Sequence, residues 1–249
     1  MGSRHKMVDI KYGPDTPPDE IVKWGIEKYY PRIAIASSFS IEDTVLIDMA
    51  TQIQPNLKIF YINTGFQFKE TDDVKEALKK KYNLNIVEYS SLLSIEEQTL
   101  KYGPELHDRN PDVCCKLRKV EPIRRALQEV DAWITGLRRD QATTRRDLEV
   151  VELEYKDDGR PLTKVNPLTY LTRKQVWSYI RKNQLPYNTL YDQGYMSIGC
   201  KPCTRPVQQG EDERTGRWTG KGKTECGIHT FLTTLKSENG EKDNGKLFT

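Results

Sequence analysis

Short apolar runs alternate with segments of helical spacing through the first half of this chain. The runs lie at residues 33–36, 57–62 and 132–135, and helical spacing follows over 41–50 and 68–82. This alternation is typical of βαβ units, so it predicts an α/β fold with a mostly parallel sheet flanked by helices. Polar residues follow each run and begin at Ser37, Asn63 and Gly136. Because ligands of such sheets bind beyond the carboxyl ends of the strands, we expect these loops to converge on one ligand.

The second half of the chain has a different pattern. Runs at 150–155 and 163–166 flank Asp158-Gly159, which predicts a β-hairpin. Residues 173–183 have the spacing of an amphipathic helix. From Leu185 onward the chain is rich in Gly, Pro and charged residues, so we expect an irregular C-terminal region.

Four of the five cysteines fall into two pairs. Cys114 and Cys115 are adjacent, Cys200 and Cys203 form a Cys-x-x-Cys, and Cys226 stands alone. The number is odd, and the chain does not start with the apolar segment of a secretory signal, so we do not expect structural disulfides. A Cys-x-x-Cys in a cytosolic protein is more often metal-binding or redox-active. The two pairs therefore indicate a four-sulfur metal centre, with one cysteine left over.

The spacing of the four cysteines bears on which metal they bind. Zinc sites with four cysteines usually consist of two Cys-x(2–4)-Cys knuckles, and adjacent cysteines are a poor knuckle because neighbouring side chains diverge. A 4Fe–4S cube offers four separate iron corners and accepts cysteines at varied spacing. The pattern favours iron–sulfur, and zinc remains open.

Three segments could bind an anion. The segment Ser37-Ser38-Phe39-Ser40, followed by Glu42 and Asp43, ends a strand and opens a helix, a setting that suits a phosphate. Taken alone, an ordinary helix N-cap explains these residues better. A basic loop at 138–146 could clamp phosphate or sulfate oxygens through its arginines, although a solvated loop has the same composition. Lys119 shares a helix face with Cys115 and could offset the charge of a cluster, or it could be a surface lysine.

Cys226 is a candidate nucleophile. It lies in Glu225-Cys226-Gly227-Ile228-His229, a segment too polar for a core. A lone cysteine is more often an inert core residue. Here the cations Arg214 and Arg217 upstream, with His229 beside it, would favour the reactive thiolate.

Composition excludes two classes of partner. The formal net charge of +3 is too small to indicate a nucleic-acid-binding surface. The apolar runs are too short to cross a bilayer. We therefore expect a soluble cytoplasmic protein with neither a nucleic-acid nor a membrane partner.

Taken together, these segments resemble the assimilatory sulfonucleotide reductases, specifically the iron–sulfur adenylyl-sulfate reductases. The similarity covers about residues 30 to 230. The matching residues are 37–39 with 42–43, 114–115 with 118–119, 136–141, 185–188, 194–195, 198–206, 210–212 with Arg214, Arg217 and Trp218, and 225–229. Ser40 and Asn63-Thr64-Gly65-Phe66 depart from the usual family pattern, which leaves the contacts to adenosine open.

The resemblance implies a fold and a division of the chain. The fold is adenine nucleotide alpha hydrolase-like and related to the ATP pyrophosphatases, but the double glycine of their loop is lacking, so ATP cleavage is disfavoured. Residues 1–184 would form the nucleotide-binding α/β domain with the Cys-Cys helix. Residues 185–249 would form the C-terminal region with the Cys-x-x-Cys and a mobile catalytic cysteine segment.

The resemblance also implies a reaction. Cys226 would attack the sulfur of adenosine 5′-phosphosulfate, AMP would leave, and thioredoxin or a similar dithiol protein would release sulfite from the S-sulfocysteine. Lys119 and His229 join Cys226 as catalytic residues. The 4Fe–4S cluster would be held by Cys114, Cys115, Cys200 and Cys203. The substrate would be bound by Ser37, Ser38, Phe39, Glu42, Asp43, Thr64, Gly65, Arg138, Arg145, Arg214 and Arg217.

Other functions fit parts of the sequence. The 3′-phosphorylated nucleotide could be the substrate of the same chemistry. A cluster-dependent tRNA-thiolating enzyme would need the missing pyrophosphatase loop, and a zinc-stapled nucleic-acid-binding module would need more positive charge. We expect a homo-oligomer, although the sequence does not fix the number of copies.

Overall fold

The computed structural model describes residues 12–234, so the outer ends of the predicted regions 1–184 and 185–249 lie outside the described residues. Within them the helices are α1 Pro18–Tyr29, α2 Ile41–Ile53, α3 Lys69–Tyr82, α4 Ile95–Tyr102, α5 Leu106–Arg109, α6 Pro111–Cys115, α7 Glu121–Gln128 and α8 Arg173–Lys182. The strands are β1 Ile33–Ser37, β2 Lys58–Asn63, β3 Asn85–Ser90, β4 Ala132–Ile134, β5 Val151–Tyr155, β6 Pro161–Val165 and β7 Thr233–Thr234.

The strands form one sheet in the order β3-β2-β1-β4-β6-β5-β7. The pairs from β3 through β6 are parallel, whereas β5 is antiparallel to both β6 and β7. The predicted α/β fold and the predicted β-hairpin are therefore confirmed. Chain order reverses between β1 and β4, and in sheets of this kind the crevice at such a reversal is where ligands bind.

The central strands are buried on both faces. Ile33 and Ile35 of β1 face a core that includes α1, α2 and α8, while Ala34 faces a second core with Trp133 and α7. Burial on both faces is expected of parallel strands covered by helices, and it explains why their sequences are continuous apolar runs.

Two helix starts bring functional segments to the edge of the sheet. Ser40 caps α2 and accepts a hydrogen bond from the backbone N–H of Asp43. Asn110 caps α6, with Pro111 at the first helical position, which suits proline because its missing N–H is not needed there. A π-helical turn, Lys116–Val120, joins α6 to α7, which restarts with Pro122 in its first turn. Such wide turns are frequent at functional sites.

The C-terminal region is largely irregular, as predicted, and it packs against the sheet. It contains short 3₁₀ turns at Thr189–Gln193 and Lys201–Cys203. Its last described residues form β7, which pairs with the edge of β5. Among residues 12–234 no helix is both long and apolar enough to cross a membrane.

Candidate active site

A cavity of about 210 Å³ lies at the carboxyl ends of β1, β2 and β4. Ser37, Thr64 and Gly136 line it from the ends of these three strands, and Cys226 lines it from the C-terminal region. The predicted convergence of the three loops is confirmed. We call this cavity the main pocket.

The loop between β1 and α2 closes on a carboxylate. Ser38 donates two hydrogen bonds to Asp43 Oδ2, from its backbone N (2.6 Å) and its Oγ (2.8 Å). Phe39 adopts a left-handed backbone (φ 57°), and its N–H donates to Ser37 Oγ at 3.0 Å. Burial raises the pKa of Asp43 to about 6, against the opposing effect of the Ser38 bonds. The loop is thus both a helix cap at Ser40 and a wall of the pocket.

The structure places Arg138 differently from the prediction. Its side chain is fully buried and does not line the main pocket. The guanidinium lies 2.9 Å from Glu42 and 3.4 Å from Glu213, and it also contacts Asp140. A buried guanidinium needs such carboxylate partners, because an unpaired charge in the interior is costly. Arg138 therefore supports Glu42 and Glu213, which do line the pocket.

Gly65 also lies outside the lining of the main pocket, although its neighbour Thr64 belongs to it. Gly65 has a left-handed backbone (φ +74°), which glycine adopts without strain. A Cβ at this position would lie 3.1 Å from Ile95. The geometry gives Gly65 the role of a turn residue after β2.

Two buried cations face the main pocket. Lys119 is 8% exposed and lines both this pocket and the cysteine cavity described below. Burial lowers its pKa, but the neighbouring thiols, Cys200 first, outweigh burial, so the pKa is raised. Arg217, also 8% exposed, lies over the Trp218 ring at 4.4 Å. Within the described residues neither cation forms an ion pair with a carboxylate.

The other two predicted cations are already paired. Arg145 donates from Nε and Nη2 to the two carboxylate oxygens of Glu225, both at 2.9 Å. Arg214 Nη2 donates to the same carboxylate at 3.1 Å. Burial raises the pKa of Glu225, yet these guanidinium groups outweigh it and hold the pKa below its ordinary value. Burial and the charge of Arg145 lower the pKa of Arg214 to about 10.

His229 lies beside Cys226 but adds no positive charge. Its ring stacks on Trp133, with centroids 5.6 Å apart and planes 14° apart. Burial, together with the charges of Lys164, Arg145 and Arg214, lowers its pKa well below the ordinary value. The imidazole is therefore neutral at pH 7. Of the three cations that the sequence places near Cys226, only the two arginines carry charge.

The four paired cysteines line a second cavity. Cys114 and Cys115 come from α6, Cys200 directly precedes the 3₁₀ turn Lys201–Cys203, and Cys203 ends that turn. Cys200 Sγ lies 3.4 Å from Thr64 Oγ1, so the two cavities adjoin. Within residues 12–234, no group of three or more His, Cys, Asp or Glu residues could hold a single metal ion.

The four thiols lie in buried surroundings that also contain two cations. Arg118, which is buried, and Lys119 both line the cysteine cavity. Burial first, and then the other thiols, raise the pKa of Cys114 to about 12, and burial raises that of Cys115 to about 11. Such thiols stay protonated at neutral pH unless a metal takes the place of their protons.

The comparisons with known proteins decide the family. Residues 32–206 match the family described as phosphoadenosine phosphosulfate reductase domain. The chain belongs to this family. The predicted resemblance is confirmed, and with it the prediction that the chain is an enzyme.

Members of this family from several organisms are similar to the chain over most of its length. The adenosine 5′-phosphosulfate reductase of Geobacillus kaustophilus is 47% identical over 211 residues, covering 84% of this chain and 88% of the relative. The phosphoadenosine 5′-phosphosulfate reductase of Gloeobacter violaceus is 44% identical over 218 residues, covering 86% and 89%.

Solved structures agree with the fold. A phosphoadenylyl-sulfate reductase from Candida auris, in a phosphate complex, is 32% identical with a TM-score of 0.65, covering 78% of this chain and 91% of that one. The FMN adenylyltransferase of Candida glabrata reaches a TM-score of 0.56 at 15% identity, covering 87% and 81%. The second similarity concerns the fold alone, and it agrees with the predicted adenine nucleotide alpha hydrolase-like class.

Several residues that line the two cavities had no predicted role. Trp218 is buried and lines both cavities, with Lys119 5.8 Å from its ring centroid. Glu213 and Glu225 line the main pocket through ion pairs with residues more than 70 positions away. Trp218 and Glu225 are among the residues that carried the resemblance, whereas Glu213 is not, and only the folded chain shows what the three contact.

Proposed function

We propose that this chain reduces adenosine 5′-phosphosulfate to sulfite and AMP through an S-sulfocysteine on Cys226. The observation that carries the proposal is a single pocket at the switch point of the sheet that contains Cys226, Lys119 and Arg217 together. The similarity to relatives named adenosine 5′-phosphosulfate reductase supports the same substrate. The role of each residue below is part of this proposal.

The first step transfers a sulfonate group to the enzyme. The thiolate of Cys226 attacks the sulfur of the phosphosulfate, forming an S–S bond. The bond from that sulfur to the phosphate oxygen breaks, and AMP leaves with its electron pair. Lys119 and Arg217 neutralise the charge that develops on the leaving phosphate, which is the kind of electrostatic stabilisation that lowers such barriers.

The second step regenerates the enzyme. One thiolate of thioredoxin, or of a similar dithiol protein, attacks Cys226 Sγ, and sulfite leaves with the electrons of the S–S bond. The second thiol of the partner then displaces Cys226 as a thiolate. The partner is oxidised to a disulfide, and the two electrons it loses are the two that reduce the sulfur of the substrate to sulfite.

We propose a 4Fe–4S cluster on Cys114, Cys115, Cys200 and Cys203. The proposal is supported by the donor set, because four thiols from two separate segments line one cavity beside two cations. When bound, the cluster would tie α6 to the 3₁₀ turn and place negative charge near Lys119.

The cofactor can be tested without assaying activity. Anaerobically purified protein should contain about four iron atoms per chain and absorb visible light, as expected for a cube. Cys203→Ser should lose both, while Cys226→Ser should keep both. One zinc per chain with no iron would instead support the zinc site that the sequence left open.

The substrate is tested by steady-state release of sulfite and AMP. With a dithiol reductant and no ATP, we expect turnover on adenosine 5′-phosphosulfate to exceed turnover on its 3′-phosphorylated form. The reverse order would support a second candidate function, the reduction of the 3′-phosphorylated nucleotide. The 44% identity to a phosphoadenosine 5′-phosphosulfate reductase favours that candidate. Failure to release sulfite from either nucleotide would contradict the proposal.

We propose that the enzyme works in the cytoplasm as a homo-oligomer. We also propose that each chain consists of a nucleotide-binding domain and a C-terminal region, with the boundary at about residue 184. Thiols that must stay reduced favour a reducing compartment. Sedimentation equilibrium measures the oligomeric state, and a monomer at working concentration would contradict that part.

A further inference from the structure

We propose that Glu225 is a positioning residue, through which Arg145 and Arg214 hold the nucleophile Cys226, so that Lys119 and Arg217 are left to bind the substrate. This inference rests on the proposed function. It assigns two of the four cations to positioning the nucleophile and the other two to binding the substrate. We call the contacts of Glu225 with Arg145, Arg214 and Thr144 the Glu225 clasp.

The clasp is built from four hydrogen bonds to one carboxylate. Arg145 donates two in a fork, and Arg214 donates a third. Thr144 Oγ1 donates a fourth at 3.3 Å. Forked guanidinium–carboxylate bonds are among the strongest and most directional in proteins. Since Cys226 follows Glu225 directly, the clasp fixes the backbone that carries the nucleophile.

The remaining contacts of the two arginines also bind them to the protein. Arg145 Nη1 is hydrogen bonded to Gln141 Oε1, and Arg214 Nη2 donates to the carbonyl oxygen of Thr224 at 2.8 Å. The side chains of Arg145 and Arg214 are 11% and 17% exposed. A substrate anion would have to break the fork to engage Arg145 fully. The geometry therefore favours a clasp over a direct anion site.

Lys119 and Arg217 are arranged in the opposite way. Both line the main pocket, and within the described chain neither has a carboxylate partner. Nε of Arg217 is buried without a hydrogen-bond partner, as Nε of Arg214 also is, so the lack of a carboxylate partner is what distinguishes Arg217 from Arg214. Buried cations without a counter-ion are costly, and a bound anion would remove that cost.

The chain is also attached to the protein on the C-terminal side of Cys226. His229 stacks on Trp133, and Lys164 Nζ lies 3.5 Å from the carbonyl oxygen of His229. The chain then joins the sheet edge as β7. Cys226 thus lies between two attachment points, and Glu225 is the one whose arginine partners line the main pocket.

The experiment is a double-mutant cycle with Glu225→Gln, Arg145→Gln and the double variant. Binding of adenosine 5′-phosphosulfate is measured by calorimetry in a Cys226→Ser background, where it cannot react. The rate of S-sulfocysteine formation is measured in a single turnover with Cys226 present. Glu211→Gln is the matched control, because Glu211 also pairs with an arginine, Arg205, but does not line the main pocket.

We expect each single variant to change the Kd for the nucleotide by less than about twofold and to slow adduct formation about 10- to 100-fold, the cost of misplacing a reacting group by about 1 Å. The double variant should be no slower than either single variant, because both remove the same clasp. Glu211→Gln should match wild type in both measurements.

Two results would overturn the clasp. Arg145→Gln could weaken nucleotide binding tenfold or more while Glu225→Gln does not, which would make Arg145 a substrate ligand. Alternatively, the two substitutions could slow adduct formation additively, which would show that they act independently.

A wild-type enzyme that forms no adduct would contradict the proposed function instead. In that case the clasp is tested separately, by measuring the rate of limited proteolysis within residues 219–232. Cleavage should be faster in Glu225→Gln and Arg145→Gln than in wild type or Glu211→Gln, and equal rates would contradict the clasp.

Discussion

At the scale of single residues, the site depends on charged side chains that the fold buries. Asp43 is 4% exposed and accepts both hydrogen bonds of Ser38. Burial raises its pKa from 3.8 to about 6, so the folded protein binds this proton more tightly than the unfolded chain does. Ionising Asp43 therefore costs stability, and stability falls as the pH rises from 3.8 to about 6.

Asp43→Asn should remove this cost. The amide oxygen can still accept from Ser38, so we expect the variant to be more stable than wild type at pH 7.5 by about 1–3 kcal/mol. The advantage should shrink toward zero near pH 4, where wild-type Asp43 is protonated in the folded state. Guanidinium unfolding at both pH values measures it, and a pH-independent difference would contradict the assignment.

Lys119 is the only cation among the described residues that line both cavities. Lys119→Ala should keep its full iron content but lose turnover by about 10²-fold or more, the scale of removing one electrostatic stabiliser. Lys116→Ala is the matched control, because Lys116 lies in the same π-helical turn and is exposed. Wild-type turnover in Lys119→Ala with full cluster content would refute the role.

At the scale of elements, the sequence predicts best what is local. The central strands are continuous apolar runs because both of their faces are buried, and α3 and α8 are recognisable from an apolar stripe. Helix α4 has no buried apolar stripe from which it could be predicted, because Gln98 is its only buried residue. The positions of the C-terminal residues could not be predicted from local sequence either, because they depend on long-range ion pairs such as Arg138–Glu213.

The 3₁₀ turn and its neighbours also position Arg217. An ideal Cβ on Gly199 would lie 2.1 Å from Arg217 Nη2. Gly199→Ala should therefore displace this flexible guanidinium while leaving the fold intact. We expect the Kd for adenosine 5′-phosphosulfate to rise about tenfold, the loss of one charged hydrogen bond, with an unchanged melting temperature.

Gly13→Ala is the control for this substitution, because a Cβ there meets nothing within 4 Å. Calorimetry and thermal unfolding of both variants make the comparison. Unchanged affinity in Gly199→Ala would mean that Arg217 does not bind the substrate.

At the scale of the whole molecule, two cavities share one wall. Lys119, Cys200 and Trp218 line both the main pocket and the cysteine cavity. The sequence predicted several of the residues that line the two cavities, because the cysteine pairs, the serine loop and the isolated Cys226 are recognisable by residue type and spacing. It could not predict that Arg138 turns inward or that Arg145 pairs with Glu225, because both depend on carboxylates brought near only by folding.

The proposed mechanism requires Cys226 to carry the sulfonate group. Wild-type enzyme incubated with adenosine 5′-phosphosulfate, without any thiol reductant, should gain about 80 Da by intact-protein mass spectrometry, as expected of covalent catalysis stopped before its second step. Peptide mapping should place the adduct on Cys226, and Cys226→Ser should bind the nucleotide but gain no mass. An adduct on another residue, or full sulfite release by the serine variant, would contradict the account.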